Sequence, residues 1–462
     1  MKQFLKNGSP FFVMSVTLLF LLILARIPDG YQLKVLGFEY KIKKLDMLQD
    51  VVPDAPAEQQ PQSGVTAPSS NPFAASLFSV VNSALEAADK SNTPEAPAQG
   101  SVKQKIENPG SLKNFFAAVK TTGSKRVRIA HYGDSAIEGD NISADLRQKL
   151  QTKYGGNGVG LIGVTPLDVQ FRTTTNVKFS SDWKTSSALS ANSEKLPLGI
   201  NGYIYQAAAN SWVRYEASGR YNSKNFSAAR IVYTSDKNFS VKYSFDDKAE
   251  STVELKASKG PAEYVLDAKG KVKSVKITVV NPSKTYFYGV SLEEGNGLYL
   301  DNFALRGNSG VALREMDNNT LKNFGKMLNY RLIILNFGLN IAGADQKDYG
   351  WYESAMEKIV NQYKEAFPEA SFLIVSVQDK SMKKGTQFVT EPGVPKLVEA
   401  QRKIAQKTGV AFFNLYEAMG GMNSMSDFVS QGLAEKDYTH MKLTGAKKLA
   451  DMITDALLEA GK

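Results

Sequence analysis

The chain has 462 residues, 42% of them hydrophobic, enough to bury a full core and more than one domain. It has no cysteine and two histidines, His131 and His440, which excludes disulfides, thiolate chemistry and a zinc site built from several His or Cys ligands. Its net charge of +10 comes from lysines interspersed with acids, with no long basic run, so the charge argues against nucleic acid as a partner.

The N-terminus opens with Lys2 and Lys6, followed by an uncharged run from Asn7 to Ala25. As a helix this run spans roughly 28 Å, close to the ~30 Å hydrocarbon core of a bilayer. No small-x-small cleavage site follows it, so residues 1–26 read as an uncleaved membrane anchor, with a cleaved signal as the alternative. By the positive-inside rule, the chain after Arg26 is expected outside the cytoplasmic membrane. Residues 27–105 form a juxtamembrane segment and a linker rich in Pro, Ala, Gln and Ser, a composition that cannot support a packed core.

From residue 106 the pattern becomes α/β. "SLKNFFAAVK" (111–120) has helical spacing, "KRVRIAHYG" reads as a buried strand and 140–155 as a helix with a polar face. Between 165 and 294 the helical pattern gives way to short alternating strands such as "VKYSF" (241–245), "TVELKA" (252–257) and "VKITVV" (275–280), which predict an all-β sandwich. The α/β pattern returns over 295–462, with strands at 330–338, 371–377 and 410–416 and helices at 351–366, 394–408 and about 443–460. The expected organisation is therefore an α/β domain in two pieces, 106–164 and 295–462, with a β-sandwich inserted at 165–294.

Four short stretches carry the chemistry. "GDS" (133–135) follows a strand and is read as opening a helix, which makes Ser135 either a helix cap or a nucleophile at the C-terminal edge of a sheet. "DYTH" (437–440) spaces Asp437 so that it can accept from the His440 Nδ1–H and leave Nε2 free as a base. Asn340 in "NFGLN" ends a buried strand and supplies an amide donor, and Gly310 in "RGNSG" offers a backbone N–H in a turn after another strand. His131 lies on the apolar strand itself and reads as structural. The insert's aromatic residues, Trp183, Trp212, Tyr203 and Tyr205, read as core with sugar stacking as the alternative.

The order of these blocks resembles the SGNH (GDSL-type) hydrolases, over about 105–164 and 295–462. That resemblance implies a flavodoxin-like three-layer α/β/α fold and ester hydrolysis through an acyl-enzyme, without metal or other cofactor. Ser135 would be the nucleophile, His440 the base and Asp437 its orienter. Ser135, Gly310 and Asn340 would form the oxyanion hole, with Asp134 and Gly338 in support. Two positions depart from the usual pattern: Ala136 follows the serine in place of Leu, and Ile341 stands where an Asp usually follows the Asn. "AHYGDSAIEGD", "GGNGVGLIG" and "YGVSLEEGNGLYLDNFALRGNSG" are similar to bacterial peptidoglycan O-acetylesterases, which carry a β-sandwich similar to carbohydrate-binding modules at the same place. The implied substrate is an acetylated polysaccharide or peptidoglycan. An O-acetyltransferase using the same triad and a non-catalytic glycan-binding protein are the other readings, and the sequence sets no oligomeric state.

Overall fold

Apolar side chains alternate along the strand Arg126–Gly133, and this period of two gives the strand two buried faces. The computed structural model describes residues 32–35, 38–41 and 104–462 apart from 191, 193, 344, 345 and 347. The expected anchor (1–26) and most of the linker (27–105) lie outside these residues. Among the described residues no helix is long and apolar enough to cross a membrane. Gln32–Val35 and Phe38–Lys41 pair as a short antiparallel hairpin within a unit that ends at Glu95.

In the second unit, five parallel strands form one sheet in the spatial order Gly297–Ala304, Arg126–Gly133, Tyr330–Asn336, Ser371–Val375, Ala411–Phe413. In chain order this is 2-1-3-4-5, the flavodoxin-like arrangement. Val127 and Ile129 face a core shared with helices Lys113–Val119, Ser143–Tyr154 and Leu443–Glu459. Ala130 and Tyr132 face the opposite core, shared with Asn318–Leu328, Gly350–Ala366 and Gly393–Thr408. The result is three layers. Local chemistry sets the element ends: Asp317 caps the helix Asn318–Leu328 by accepting from the Thr320 N–H at 2.8 Å. Asn414 does the same for Leu415–Met419, which is why the last strand stops at Phe413 instead of running to 416.

Between the first two strands of this sheet the chain builds two antiparallel sheets. One holds Thr175–Phe179, Trp212–Ala217, Phe239–Phe245, Ser251–Leu255 and Ser274–Val279. The other holds Lys184–Ser187, Tyr203–Gln206, Phe226–Ser235, Ser258–Val272 and Thr285–Glu294. Ring contacts of Phe239 with Tyr233 and Phe287 bridge the two sheets. The β structure also begins earlier than the boundary at 165. Asn157–Ile162 pairs antiparallel with Thr285–Glu294, and Val159, Leu161 and Ile162 are buried on the sandwich side. Trp183, Tyr203 and Tyr205 are buried as core, whereas Trp212 is partly exposed with the Lys276 ammonium 5.4 Å from its ring centre.

A buried ionic cluster joins the two parts. Arg128 of the parallel sheet reaches both Asp301 carboxylate oxygens at 3.1 Å and also pairs with Glu293 of the sandwich. Glu293 in turn accepts from Arg230 Nε at 2.8 Å. Burial alone disfavours the Arg128 charge, but Glu293 and Asp301 outweigh it and raise the guanidinium pKa.

Candidate active site

In a 2-1-3-4-5 sheet the connections of the first and third strands leave in opposite directions, opening a crevice at their C-terminal ends. Gly133 ends the first strand and is paired in register with Asn336 of the third and Ala304 of the second. The residues just past these three positions are therefore brought to one place, and they include Ser135, Gly338 and the turn that holds Gly310.

Ser135 Oγ lies 3.0 Å from His440 Nε2, and His440 Nδ1 lies 2.7 Å from Asp437 Oδ2. The other carboxylate oxygen, Asp437 Oδ1, accepts from the backbone N–H groups of Thr439 (2.9 Å) and His440 (3.0 Å), which fixes the carboxylate relative to the ring. Burial works against ionised Asp437, but the backbone and imidazole hydrogen bonds of His440 outweigh it and hold the carboxyl below its ordinary range. The imidazole therefore has a charged partner on Nδ1 and a hydroxyl on Nε2, the pairing that lets a serine be deprotonated as it attacks.

Asp134 supports this arrangement. Its Oδ2 accepts from the Gly338 and Leu339 N–H groups at 2.9 and 3.0 Å, and its Oδ1 from Ala136 at 3.0 Å. One buried carboxylate thus ties the serine turn to the turn that carries Asn340. Burial still raises its pKa, because three N–H donors only partly replace water. Gly338 has φ +141°, and a Cβ there would come within 2.7 Å of Val377 Cβ, so the turn accepts only glycine.

Ser135 does not open a helix. Residues 134–137 form turns, a short 3-10 segment covers Glu138–Asp140, and the α-helix begins at Ser143. Gly139, Asp140 and Ile142 all have positive φ, which breaks helical continuation, so the cap reading falls away. The Ser135 N–H has no acceptor among the described residues.

Gly310 also differs from expectation. Its N–H donates to Asn308 Oδ1 at 2.8 Å, as does that of Ala312 at 3.1 Å, so the Asn308 side chain closes this loop onto itself. The expected donor is therefore already paired. The Asn340 amide donates one hydrogen to the Asn308 carbonyl at 3.1 Å, which orients the amide and leaves its second N–H available. His131 is fully buried, with Nδ1 2.9 Å from Ser143 Oγ.

Sequence reasoning missed several supports of the His440 loop. Gln378 Nε2 donates to the Thr439 carbonyl at 2.7 Å and the Ser381 N–H to the Tyr438 carbonyl at 3.0 Å. The Phe388 ring stacks on Tyr438 with centroids 3.6 Å apart. Gln378 lies just past the strand Ser371–Val375, so its place at the C-terminal edge of the sheet was a readable signal. Phe388 belongs to an unanticipated hairpin, Ser381–Lys384 with Gln387–Thr390.

No family model matches the chain, and neither does any curated protein. Among solved structures, it is similar to a peptidoglycan O-acetylesterase at 20% identity and TM-score 0.62, over 77% of this chain and 99% of the other. That likeness shows a shared fold. A family two carbohydrate esterase from Cellvibrio japonicus matches at 10% identity and TM-score 0.26, over 62% and 98% of the two chains. A salicylyl-acyltransferase of a tetracycline biosynthetic pathway matches at 13% identity and TM-score 0.29, over 63% and 96%.

Proposed function

We propose that this chain is a serine esterase that removes O-acetyl groups from a cell-envelope polysaccharide, with peptidoglycan as the polymer. The observation that carries the reading is the unbroken hydrogen-bonded path from Ser135 Oγ through His440 to Asp437 at the switch point of the parallel sheet. The shared fold with a peptidoglycan O-acetylesterase supports the choice of polymer.

In this reading Ser135 Oγ forms a bond to the acetyl carbonyl carbon while His440 Nε2 takes the hydroxyl proton. The developing oxyanion accepts from the Ser135 N–H and the free N–H of the Asn340 amide. The tetrahedral adduct collapses, the ester C–O bond breaks, and His440 returns the proton to the departing sugar oxygen. Water then attacks acetyl-Ser135, giving its proton to His440. Acetate leaves, and the proton returns to Ser135 Oγ. Asp437 stabilises the imidazolium formed in each half. The His440 side chain is 45% exposed, so the base is open to solvent water, the acceptor in this reading.

The Ser135→Ala variant should lose acetate release from acetylated polymer and from 4-nitrophenyl acetate by about 10⁶-fold, typical for loss of such a nucleophile. Activity retained in that variant would overturn the reading. We further infer that residues 7–25 anchor the enzyme, with its catalytic domain outside the cytoplasmic membrane. Activity should then remain with salt-washed membranes and be lost on protease treatment of intact spheroplasts. Activity found only in the soluble cytoplasmic fraction would refute the anchor.

A further inference from the structure

"RGNSG" contains a cation that the proposed mechanism leaves unused. Ala304 pairs with Gly133, and the Leu305 N–H donates to the Gly133 carbonyl at 2.8 Å. Arg306 therefore leaves its strand level with Ser135, each two residues past the last paired position. Register thus brings Arg306 to the same sheet edge as the serine, and its side chain meets Glu138, three residues past Ser135.

Two neighbours hold the guanidinium. Arg306 Nη1 lies 3.6 Å from Glu138 Oε1, and the guanidinium carbon lies 5.5 Å from the centre of the Phe171 ring. Glu138 follows Ser135 by three residues and is close enough to feel the His440 charge. Burial raises its pKa, and the Arg306 and His440 charges only partly oppose this. Phe171 comes from the sandwich side, just past the short helix Pro166–Val169, and is 49% exposed. Its segment is fastened to the serine loop, because the Thr173 N–H donates to the Gly139 carbonyl at 2.9 Å. Gly139, at φ +70°, approaches so closely that a Cβ would fall 2.4 Å from the Phe171 carbonyl oxygen.

A surface ion pair of this length contributes little to stability, so a purely structural role explains little of the arrangement. The Arg306 side chain remains 62% exposed although it is held on two sides. A guanidinium has five N–H donors, and one long ion pair leaves most of them open to a ligand. The Glu138 and Phe171 contacts bias this long side chain toward one orientation, which lowers a part of the ordering cost a ligand would otherwise meet. The planar fork suits a carboxylate, and the adjacent ring face suits the C–H face of a pyranose.

We propose that Arg306 and Phe171 form a subsite for a carboxylate-bearing sugar, either the acetylated unit itself or its immediate neighbour. This rests on the esterase reading of Ser135. Arg306 acts here as a specificity determinant: it reads a charge on the substrate and takes no part in the bond-breaking steps.

The test compares wild type, Arg306→Ala and Arg306→Lys on O-acetylated, peptide-free glycan fragments whose sugar carboxylates are free and on the same fragments with those carboxylates converted to methylamides. The Arg306→Ala loss in kcat/KM on the charged fragments should exceed its loss on the amidated ones about tenfold, mainly through KM. The Lys variant should recover only part of this, because it lacks the fork. Equal losses on both substrates, or no loss on the charged one, would overturn the subsite. Binding of de-O-acetylated charged fragments needs no turnover, and its Kd should also rise about tenfold in Arg306→Ala. An unchanged Kd would count against the subsite whatever the enzyme's activity. Release of nitrophenol from 4-nitrophenyl acetate by wild type and not by Ser135→Ala tests the esterase reading separately.

Discussion

His131 and Ser135 are four residues apart, yet the sheet sends them to different surroundings. The His131 ring is fully buried, and burial pushes its pKa down to about 4, against an ordinary value near 6.5. The native state therefore keeps it neutral, while the unfolded chain takes up a proton as the pH falls below about 6.5. The stability this contributes is fully present above that pH and is lost progressively down to about 4. The size of the loss is on the order of 3 kcal/mol, at about 1.4 kcal/mol per pH unit. Urea unfolding between pH 7 and 4 should show a shallower acid slope in His131→Gln than in wild type, since the other titrating groups are common to both. Parallel slopes would mean that His131 is not the group responsible. At this scale the sequence was partly legible. Ser135, Asp437 and His440 stood out because their types and spacing are chemically restrictive. The partner of the Gly310 N–H was not, because an Asn two residues away can close its own loop or leave the donor free, and only the folded turn decides.

Among elements, the strands of the parallel sheet were readable because burial on both faces leaves near-continuous apolar runs such as "YRLIILN". The long helices were readable from their apolar spacing, and their observed ends fall close to the expected ones. The hairpin Ser381–Thr390 was not, because "SMKKGTQFVT" is short and largely polar and has no deep apolar face. Its weight in the fold comes from a tertiary contact, the stack of Phe388 on Tyr438, which has φ +55°. That residue lies inside the Asp437–His440 turn, so the hairpin props the conformation that aims the imidazole. The early start of the sandwich was hidden for a related reason. "NGVGLI" has too many glycines to look like a strand, and its pairing partner, Thr285–Glu294, is far along the chain.

For the whole molecule, the Arg128 cluster makes the sandwich and the parallel sheet depend on each other. Arg128→Met would leave Glu293 and Asp301 in a dry interior without their shared cation. Removing one partner of such a cluster costs about 3–5 kcal/mol, more than most single surface contacts contribute. The midpoint of urea unfolding should fall accordingly, with one transition and an unchanged slope if both parts unfold as a unit. A midpoint within error of wild type would show that the cluster contributes nothing net. The insertion was visible in the change of hydrophobic period near 165 and 294, but nothing in the local pattern around Arg128 indicated that a buried cation would join the two parts.

The same insertion sets a timetable for synthesis. The strand Arg126–Gly133 sits between Gly297–Ala304 and Tyr330–Asn336, and both neighbours are made after the whole sandwich has been translated. Roughly 160 residues separate the first strand from the nearer of its partners. At about 5–20 residues per second, that strand waits on the order of ten to thirty seconds with both hydrogen-bonding edges open. The serine that follows it thus emerges from the ribosome 305 residues ahead of the histidine to which it is hydrogen-bonded in the folded chain.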